Sequence, residues 1–588
     1  MTNTFNVLHV DLTSGKSRVL NIPGRNTWLG GCGLAAVLFE QFGLLHEDPF
    51  HSDQPMVFAI GPLTGYFPLM SKTVLGFMSP YHGQYAESHA GGRLALALRF
   101  AGYEGLVITG RASSLSCLII GSRQVTIQNV HFMRGMDIFK TGKLLRSMHK
   151  DHAGHRSILR IGPAGENQVS YAAINVDTYR HFGRLGSGAV MGSKNLKAVI
   201  VSGDMGYDLS AYPEYPKVYK EIFTAVTQSD LMKKYHDLGT AENLKKLDAA
   251  GYLPWRNLTQ TSDPKAIDGI SGETFARDLL LRQSACAGCP VGCIHVGLLR
   301  EKFGPENEFL YRQVAYDYEP IFAVGSMLGI DDASSVLTLL EDVERAGLDV
   351  MSAGVALAWA TEALQQGILT QEETLVPLAF GVCGPYGRAI ELLGNPAANR
   401  FYTLLGQGAL AAAKHYGGED FACVLGQEIA GYATGENYIV SQALGFRHSH
   451  LDIGAYSFDQ KNTTHDISQA MTFFDTEEQQ RVLLCSMVSC LFARKVYTLE
   501  RLTAALHSLG LEEMAENLET KASAIQAKRW ELRFKTGFDP ASIPIPQRFR
   551  QMVTGKGPLD EKYLDQLMET YKKRLEAFRP GEDVDPKK

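Results

Sequence analysis

Three cysteines, in the run Cys286-Ala-Gly-Cys289-Pro-Val-Gly-Cys293, have the type and spacing to hold a metal centre. Thiolates are soft ligands, and small residues with one proline between them let the backbone wrap around a cluster. A cubane iron-sulfur cluster takes four thiolates, and three close together with one remote is a common way to supply them. The fourth then comes from another part of the chain: Cys490, on an apolar run at 482–493, is the candidate and Cys485 the alternate. Zinc is the rival, since it usually recruits two ligand pairs and His295, just beyond Cys293, could join such a site. The spacing reverses the radical-SAM order and speaks against that chemistry. Burial as ordinary apolar cysteines is the reading without function, and three thiols this close argue against it.

A second stretch reads Arg180-His-Phe-Gly183-Arg184-Leu-Gly186-Ser-Gly188-Ala-Val-Met-Gly192-Ser-Lys194-Asn195-Leu-Lys197. Its glycines let backbone N–H groups approach phosphate oxygens while the arginines and lysines neutralise them, which suits an anionic, phosphate-bearing cofactor. Alone the motif is weak, because such runs also make simple tight turns. A dinucleotide fold would need strands alternating with helices, and the flanking sequence lacks that alternation.

These groups need a framework. The chain has 588 residues, 45% hydrophobic and 20% charged, enough for several domains of about 150 residues each and for burial of a large cofactor. Up to 207, β-branched runs at 6–11, 56–60, 105–109, 117–120 and 198–201 alternate with glycine-rich turns, and Gly15 supplies the positive φ of a hairpin between the first two strands. From 208 onward apolar residues recur at the helical period, as at 334–346, 354–365 and 559–579, ahead of a tail that should fray. The expected fold class is α+β: a β-rich domain at 1–207, a helical domain with the three cysteines at 208–416, and a helical domain with the fourth at 417–588, divided at Gly417-Gly418. The run at 482–493 reads as a core helix, well short of the about 20 apolar residues that cross a bilayer. A start without signal-peptide features, an odd count of 9 cysteines, and a net charge of −6 without a long Lys/Arg block predict a cytoplasmic protein with no membrane span and no nucleic-acid partner.

The blocks Trp28-Leu-Gly-Gly31, Gly61-Pro-Leu-Thr-Gly65, Phe100-Ala-Gly-Tyr103, Ile161-Gly-Pro-Ala-Gly-Glu-Asn167 and Gly188-Ala-Val-Met-Gly-Ser-Lys-Asn-Leu-Lys-Ala198 resemble, in sequence and order, those of the aldehyde:ferredoxin oxidoreductase family. The resemblance continues through Gly239-Thr, Gly251-Tyr-Leu-Pro, the three-cysteine motif, Tyr318-Glu319, Leu328-Gly-Ile and Ala346-Gly-Leu-Asp349, and thins beyond. It implies a β-rich base for a bis-pterin cofactor holding tungsten or molybdenum, with Mg2+ bridging the pterin phosphates and two helical domains closing over it. It also implies a [4Fe-4S] cluster that passes electrons to a ferredoxin or an iron-sulfur subunit, within an oligomer or hetero-complex, and no side-chain ligand to the tungsten or molybdenum.

Carried onto this chain, the family's pterin-facing Asp-x-x-Gly-Leu-Asp motif falls on Glu344-Arg-Ala-Gly347-Leu348-Asp349, and carboxylates suit pterin N–H donors. Its partner Asp-x-x-Gly-Leu-Cys falls on Cys485-Ser-Met-Val-Ser489-Cys490, which keeps the last cysteine and loses the acid and the glycine. Lys72 stands where the family has an arginine, keeping the charge without the bidentate fork. His89, in Ser-His89-Ala90-Gly91-Gly, stands for an asparagine, and backbone carbonyls near His89 and His181 would meet Mg2+. The resemblance thus implies cofactor contacts at Lys72, His89, Ala90, Gly91, Arg180, His181, Gly183, Arg184, Gly186, Glu344, Gly347, Leu348, Asp349 and Ser489. Glu319 matches an active-site glutamate that activates water or takes a proton, and the active-site histidine falls on His450, with His448 the alternate. The implied activity is oxidation of an aldehyde to a carboxylate, or the reverse. An aromatic acyl-CoA reductase subunit of the same family and a non-catalytic zinc-stabilised scaffold are the alternatives.

Overall fold

A computed structural model describes residues 3–150, 155–306, 308–396 and 399–581; most of the tail expected to fray lies outside them. The fold is α+β. The first part holds two six-stranded sheets. In the first the order is β2-β1-β6-β3-β4-β5, with β1 Thr4–Asp11, β2 Lys16–Pro23, β3 Met56–Ala59, β4 Thr73–Met78, β5 Tyr85–Ala90 and β6 Gly105–Thr109. In the second it is β11-β10-β9-β12-β7-β8, with β7 Ser116–Gly121, β8 Val125–Asn129, β9 His155–Arg160, β10 Ile174–Val176, β11 Arg180–Phe182 and β12 Leu196–Gly203. Gly15 turns the first hairpin at φ 70°, the conformation its lack of Cβ permits.

The sheets share one core, in which Leu8, Phe58 and Leu75 pack with Leu159, Ile174 and Val199. Strand β3 is buried on both sides. Met56 and Phe58 belong to that shared core, whereas Val57 and Ala59 join the helix Gly31–Phe42 through Leu34 and Leu38, so its sequence reads as an unbroken apolar run. The helices Ile467–Ser486 and Leu518–Lys535 also reach this side, through Val482, Leu484 and Ile525. The C-terminal part of the chain therefore packs on the N-terminal base as well as within the main helical core, where Tyr438 and Trp530 lie.

Two local departures from the sequence reading matter for the site. A three-stranded antiparallel sheet, β13 Leu280–Ser284, β14 Ile294–Lys302 and β15 Phe309–Tyr316, interrupts the helical region and carries the three-cysteine loop between its first two strands. The run at 482–493 is not one helix: the helix ends at Ser486, Val488 adopts φ 55°, and a short 3-10 turn follows at Leu491–Ala493.

The turn joining the helices Ala333–Ala346 and Val350–Gln365 follows directly from its sequence. Gly347 takes φ 76° to end the first helix, and the Asp349 carboxylate accepts the Ser352 N–H at 3.0 Å to cap the second. Pairing of Leu348 with Ala172 and the 2.9 Å bond from Ala173 N–H to the Gly347 carbonyl pin this corner to the N-terminal base.

The glycine-rich run after Gly186 forms the helix Ser187–Ser193, whose backbone rests against the segment around Gly165. A Cβ on Gly192 would lie 1.8 Å from the Gly165 carbonyl oxygen. We expect Gly192→Ala to destabilise the protein by about 1–3 kcal/mol, read as a lowered thermal midpoint, whereas Gly384→Ala, with no atom within 4 Å of its added methyl, leaves the midpoint nearly unchanged.

Candidate active site

A cavity of ≈ 410 Å³ lies between the N-terminal base and the helical part. Cys286, Cys289, Cys293 and Cys490 all line it. Their loops are joined by backbone hydrogen bonds: Cys490 N–H donates to the Leu69 carbonyl at 3.0 Å, Leu69 N–H to Gly288 at 3.3 Å, and Lys72 N–H to Val488 at 3.1 Å. Each of Cys289 and Cys293 feels the charge of Cys490 and of Cys286, whereas Cys485 sits among Arg447, Arg529, Glu87 and Asp452. The remote thiol that groups with the motif is thus Cys490. Among the described residues no three His, Cys, Asp or Glu side chains gather closely enough for a single metal ion. His295 faces backbone carbonyls instead, at 3.1 Å from both His236 and Asp237.

Cations set the electrostatics of this corner. The Arg180 guanidinium reaches Cys293 Sγ at 3.5 Å and also bonds Cys286. Burial pushes the Cys286 thiol up, but Arg180 and Lys72 outweigh it and hold the thiol below its usual value. Cys289, without such a neighbour, is pushed up to about 12 by burial. Gly91 has to be glycine here, because a Cβ would meet Cys286 Sγ at 2.6 Å and Lys72 Nζ at 3.3 Å.

Several lining groups have a buried polar atom without a protein partner: Arg180 Nε, Arg184 Nη1, Asp317 Oδ1, Glu344 Oε2 and His450 Nδ1. Guanidinium N–H donors beside carboxylate acceptors are the set that a phosphate-bearing pterin would use, so the residues present fit that cofactor. Glu344 keeps Oε2 free while Oε1 binds His181 at 2.8 Å. Asp349 is more committed, to Ser352 and, at 3.3 Å, to Arg184 Nε. The nearest atom to a Cβ on Gly183 would be Asp349 Oδ1 at 4.0 Å, which leaves its backbone open to the cavity.

Lys72, His89, Arg180, His181, Gly183, Arg184, Glu344, Leu348, Asp349 and Ser489 lie on the wall. Ala90, Gly91, Gly186 and Gly347 are not on it: Ala90 is in the intersheet core, Gly91 packs on the cysteine loop, Gly186 sets the N-terminus of the helix Ser187–Ser193, and Gly347 turns the helical corner. The expected phosphate cradle also ends early. Lys197 pairs with Glu166, and Lys194 donates to the Ser52 carbonyl at 2.7 Å, both inside the base.

The acid and the histidine meet. His450 Nε2 lies 3.2 Å from Glu319 Oε1, which also accepts from Tyr432 OH at 3.3 Å. His448 takes no part: Nδ1 bonds the Ala443 carbonyl, Nε2 bonds Arg533, and the ring is off the wall. Asp317, two positions before Glu319, was missed in the sequence. It lines the cavity beside Arg180, His181 and Lys72 and, although it precedes the helix Tyr318–Val324, it does not cap it. Two adjacent buried carboxylates resist joint ionisation. Burial and the Glu319 charge push Asp317 up to about 7, while for Glu319 the His450 and Tyr432 hydrogen bonds outweigh burial and keep the carboxyl below its usual value. Glu87, Arg447 and Arg529 were also missed; their signal is spread over three distant segments.

The aldehyde ferredoxin oxidoreductase N-terminal domain model matches residues 7–203, and the model for domains 2 and 3 of that family matches 217–578. A tungsten-containing aldehyde ferredoxin oxidoreductase of Pyrococcus abyssi is 32% identical over 443 residues, 72% of this chain and 70% of that protein. One from Pyrococcus furiosus is 28% identical over 587 residues, 94% and 92% of the two chains. The active site complex BamBC of benzoyl coenzyme A reductase in complex with 1,5-dienoyl-CoA contains a chain of the same fold, with a TM-score of 0.80, 19% identity, and coverage of 97% of this chain and 95% of that one. With both family models matched across nearly its whole length, this chain belongs to the aldehyde ferredoxin oxidoreductase family and is an oxidoreductase.

Proposed function

We propose that the protein oxidises an aldehyde to a carboxylate, RCHO + H2O → RCOO− + 3 H+ + 2 e−, with a tungsten- or molybdenum-pterin cofactor in the cavity and a [4Fe-4S] cluster on Cys286, Cys289, Cys293 and Cys490. The observation that carries the reading is that the Glu319–His450 pair and the four thiols line one cavity. The names of both Pyrococcus relatives favour tungsten. A bound pterin-held metal supplies the two-electron sink. A cluster held by the four cysteines would supply the exit for electrons toward a ferredoxin or an iron-sulfur subunit. Five cysteines besides the four proposed cluster ligands, none of them in a disulfide, support residence in a reducing cytoplasm, and no single helix among the described residues is long and apolar enough to cross a membrane.

The side chains divide the work. Arg180 and Arg184, each with an unpaired N–H, would bind the cofactor's phosphate oxygens, Glu344 Oε2 would accept a pterin N–H, and the carbonyls at His89 and His181 would hold Mg2+. Glu319, kept ionised by its two donors, takes a proton from water attacking the aldehyde. His450, held by Glu319 through Nε2, leaves Nδ1 unpaired to hydrogen-bond the substrate and steady the negative charge that develops on its oxygen. Fold likeness to the benzoyl coenzyme A reductase complex, at 19% identity, gives no reason to change the substrate class.

The deciding experiment is metal and pterin analysis of anaerobically purified protein. About four Fe with tungsten or molybdenum and pterin support the reading; zinc without pterin overturns it. Cys490→Ser should lower the iron content, whereas Cys485→Ser should retain it. Glu319→Gln should lower kcat for aldehyde oxidation by about 10²–10⁴-fold at unchanged metal content.

Asp317 gives a pH signature in the cofactor-free chain. With a folded pKa of about 7 above the unfolded value, the folded state retains a proton that the unfolded chain releases, so this group lowers stability as pH rises from about 4 to 7. Asp317→Asn should therefore raise the thermal midpoint relative to wild type at pH 8, with the difference vanishing near pH 4.

A further inference from the structure

We infer that the outer face of the β13–β14–β15 sheet is the docking surface for an acidic iron-sulfur electron-transfer protein. The inference rests on the proposed function, which sends electrons out through the cysteine cluster, and it names the surface the acceptor uses. β13 ends at Ser284, just ahead of Cys286, and β14 starts at Ile294, directly after Cys293. The sheet is thus the continuation of the cysteine loop into solvent. Ala285, Gly288 and Pro290 on that loop are themselves exposed.

The two faces of the sheet differ: the one carrying Leu299 and Val314 packs inward, and the other is exposed toward the hairpin end, past the buried Val296. Paired residues of antiparallel strands point to the same side. On one side Leu299 and Val314 enter the helical core, and Arg312, opposite Leu299, binds Glu341 at 2.6 Å and Glu301 at 2.8 Å. On the other, the register sets Arg300 against Tyr311 and Lys302 against Phe309. Arg300, Lys302 and Tyr311 are exposed, Tyr311 by 62%. Arg282 joins them by donating to Gln313 Oε1 at 3.0 Å, and the Arg300 guanidinium lies 3.8 Å from the Phe309 ring centroid. The strand residues on this side include no acid.

A cationic and aromatic face on a chain of net charge −6 is local, and its composition is that of a protein interface. At about 3.3 Å per residue it begins roughly 13 Å from Cys286 at Arg282 and extends to roughly 23 Å from Cys293 at Arg300. A partner held there can therefore bring its own cluster over the exposed cysteine loop. Two electrons leave per aldehyde, so a one-electron carrier must bind twice in each turnover, which favours a small, charge-steered, quickly released contact. A second copy of this chain would bring the same cations to a two-fold contact, and like charges facing each other oppose it.

The test uses anaerobic holoenzyme carrying Arg300→Glu with Lys302→Glu, a separate Tyr311→Ala variant, and Lys573→Glu on the last helix as a control. Aldehyde-dependent reduction of methyl viologen is compared with that of an acidic ferredoxin carrying one [4Fe-4S] cluster, and ferredoxin binding is measured directly by interferometry. We expect viologen rates to stay at wild-type values in every variant. The double reversal should raise the ferredoxin KM and Kd by about 10-fold at low salt, with the difference shrinking as salt rises; Tyr311→Ala should weaken binding at all salt concentrations. Wild-type ferredoxin KM and Kd in the double reversal, with viologen activity intact, would overturn the surface while leaving the proposed function standing. A wild-type dimer that becomes monomeric on the reversal would reassign the face to a second copy. Wild-type holoenzyme that reduces neither acceptor with any aldehyde would overturn the function itself, and the surface with it.

Discussion

The backbone hydrogen bonds from Cys490 to Leu69, from Leu69 to Gly288 and from Lys72 to Val488 tie together three segments that are far apart in sequence. Each segment brings a different chemical contribution: a lysine beside β4, the three-cysteine loop, and the remote thiol. Peptide N–H and C=O groups at the edge of a cavity must find partners. Here they find each other, and the thiols and cations are positioned as a result. The end of the helix Ile467–Ser486 is part of the same arrangement. Were that helix to continue to 493, the Val488 carbonyl and Cys490 N–H would bond within it and leave Lys72 and Leu69 without partners.

Charge burial is the second organising constraint. In and beside the cavity wall, guanidinium groups are matched by carboxylates, some local and some from distant segments. Glu87 on β5 accepts both arms of Arg529 at 2.8 Å, and Arg447 binds Asp452 at 2.7 Å. Burial works against the Glu87 charge, but Arg529 more than compensates and holds its carboxyl at about 2. Breaking such a pair from one side typically costs about 3–5 kcal/mol, because an uncompensated ion remains. These pairs also explain how the chain tolerates Cys485 where the family motif carries an acid. The nearby Arg447 and Arg529 already have counter-ions, so a neutral thiol beside them leaves no charge unmatched.

Much of this was legible in the sequence where the signal is local. The helical corner at Gly347–Asp349 announces itself by a helix-ending glycine and a capping aspartate, and the three-cysteine loop by spacing alone. What could not be read depends on distant partners. His448 and His450 are equivalent in a one-dimensional pattern; they separate only because Arg533 and the Ala443 carbonyl occupy both nitrogens of one ring while Glu319 holds a single nitrogen of the other. Lys194 and Lys197 looked like phosphate ligands because they follow glycines, but the helix Ser187–Ser193 turns them into the base. The sheet beside the cysteines was hidden within a long helical stretch. Asp317 gave no signal because its interest lies in having no partner.

The Glu87–Arg529 pair also bears on how such a chain can change by recombination. Its carboxylate belongs to the first sheet and its guanidinium to a late helix, just as the first three thiols and the fourth come from separate stretches. A crossover between homologues at any breakpoint between β5 and the helix Leu518–Lys535 would join halves whose buried ions had not been selected together. The centre of this protein thus depends on both halves of the chain together. Substitution, rather than exchange of modules, is the route by which its chemistry can drift.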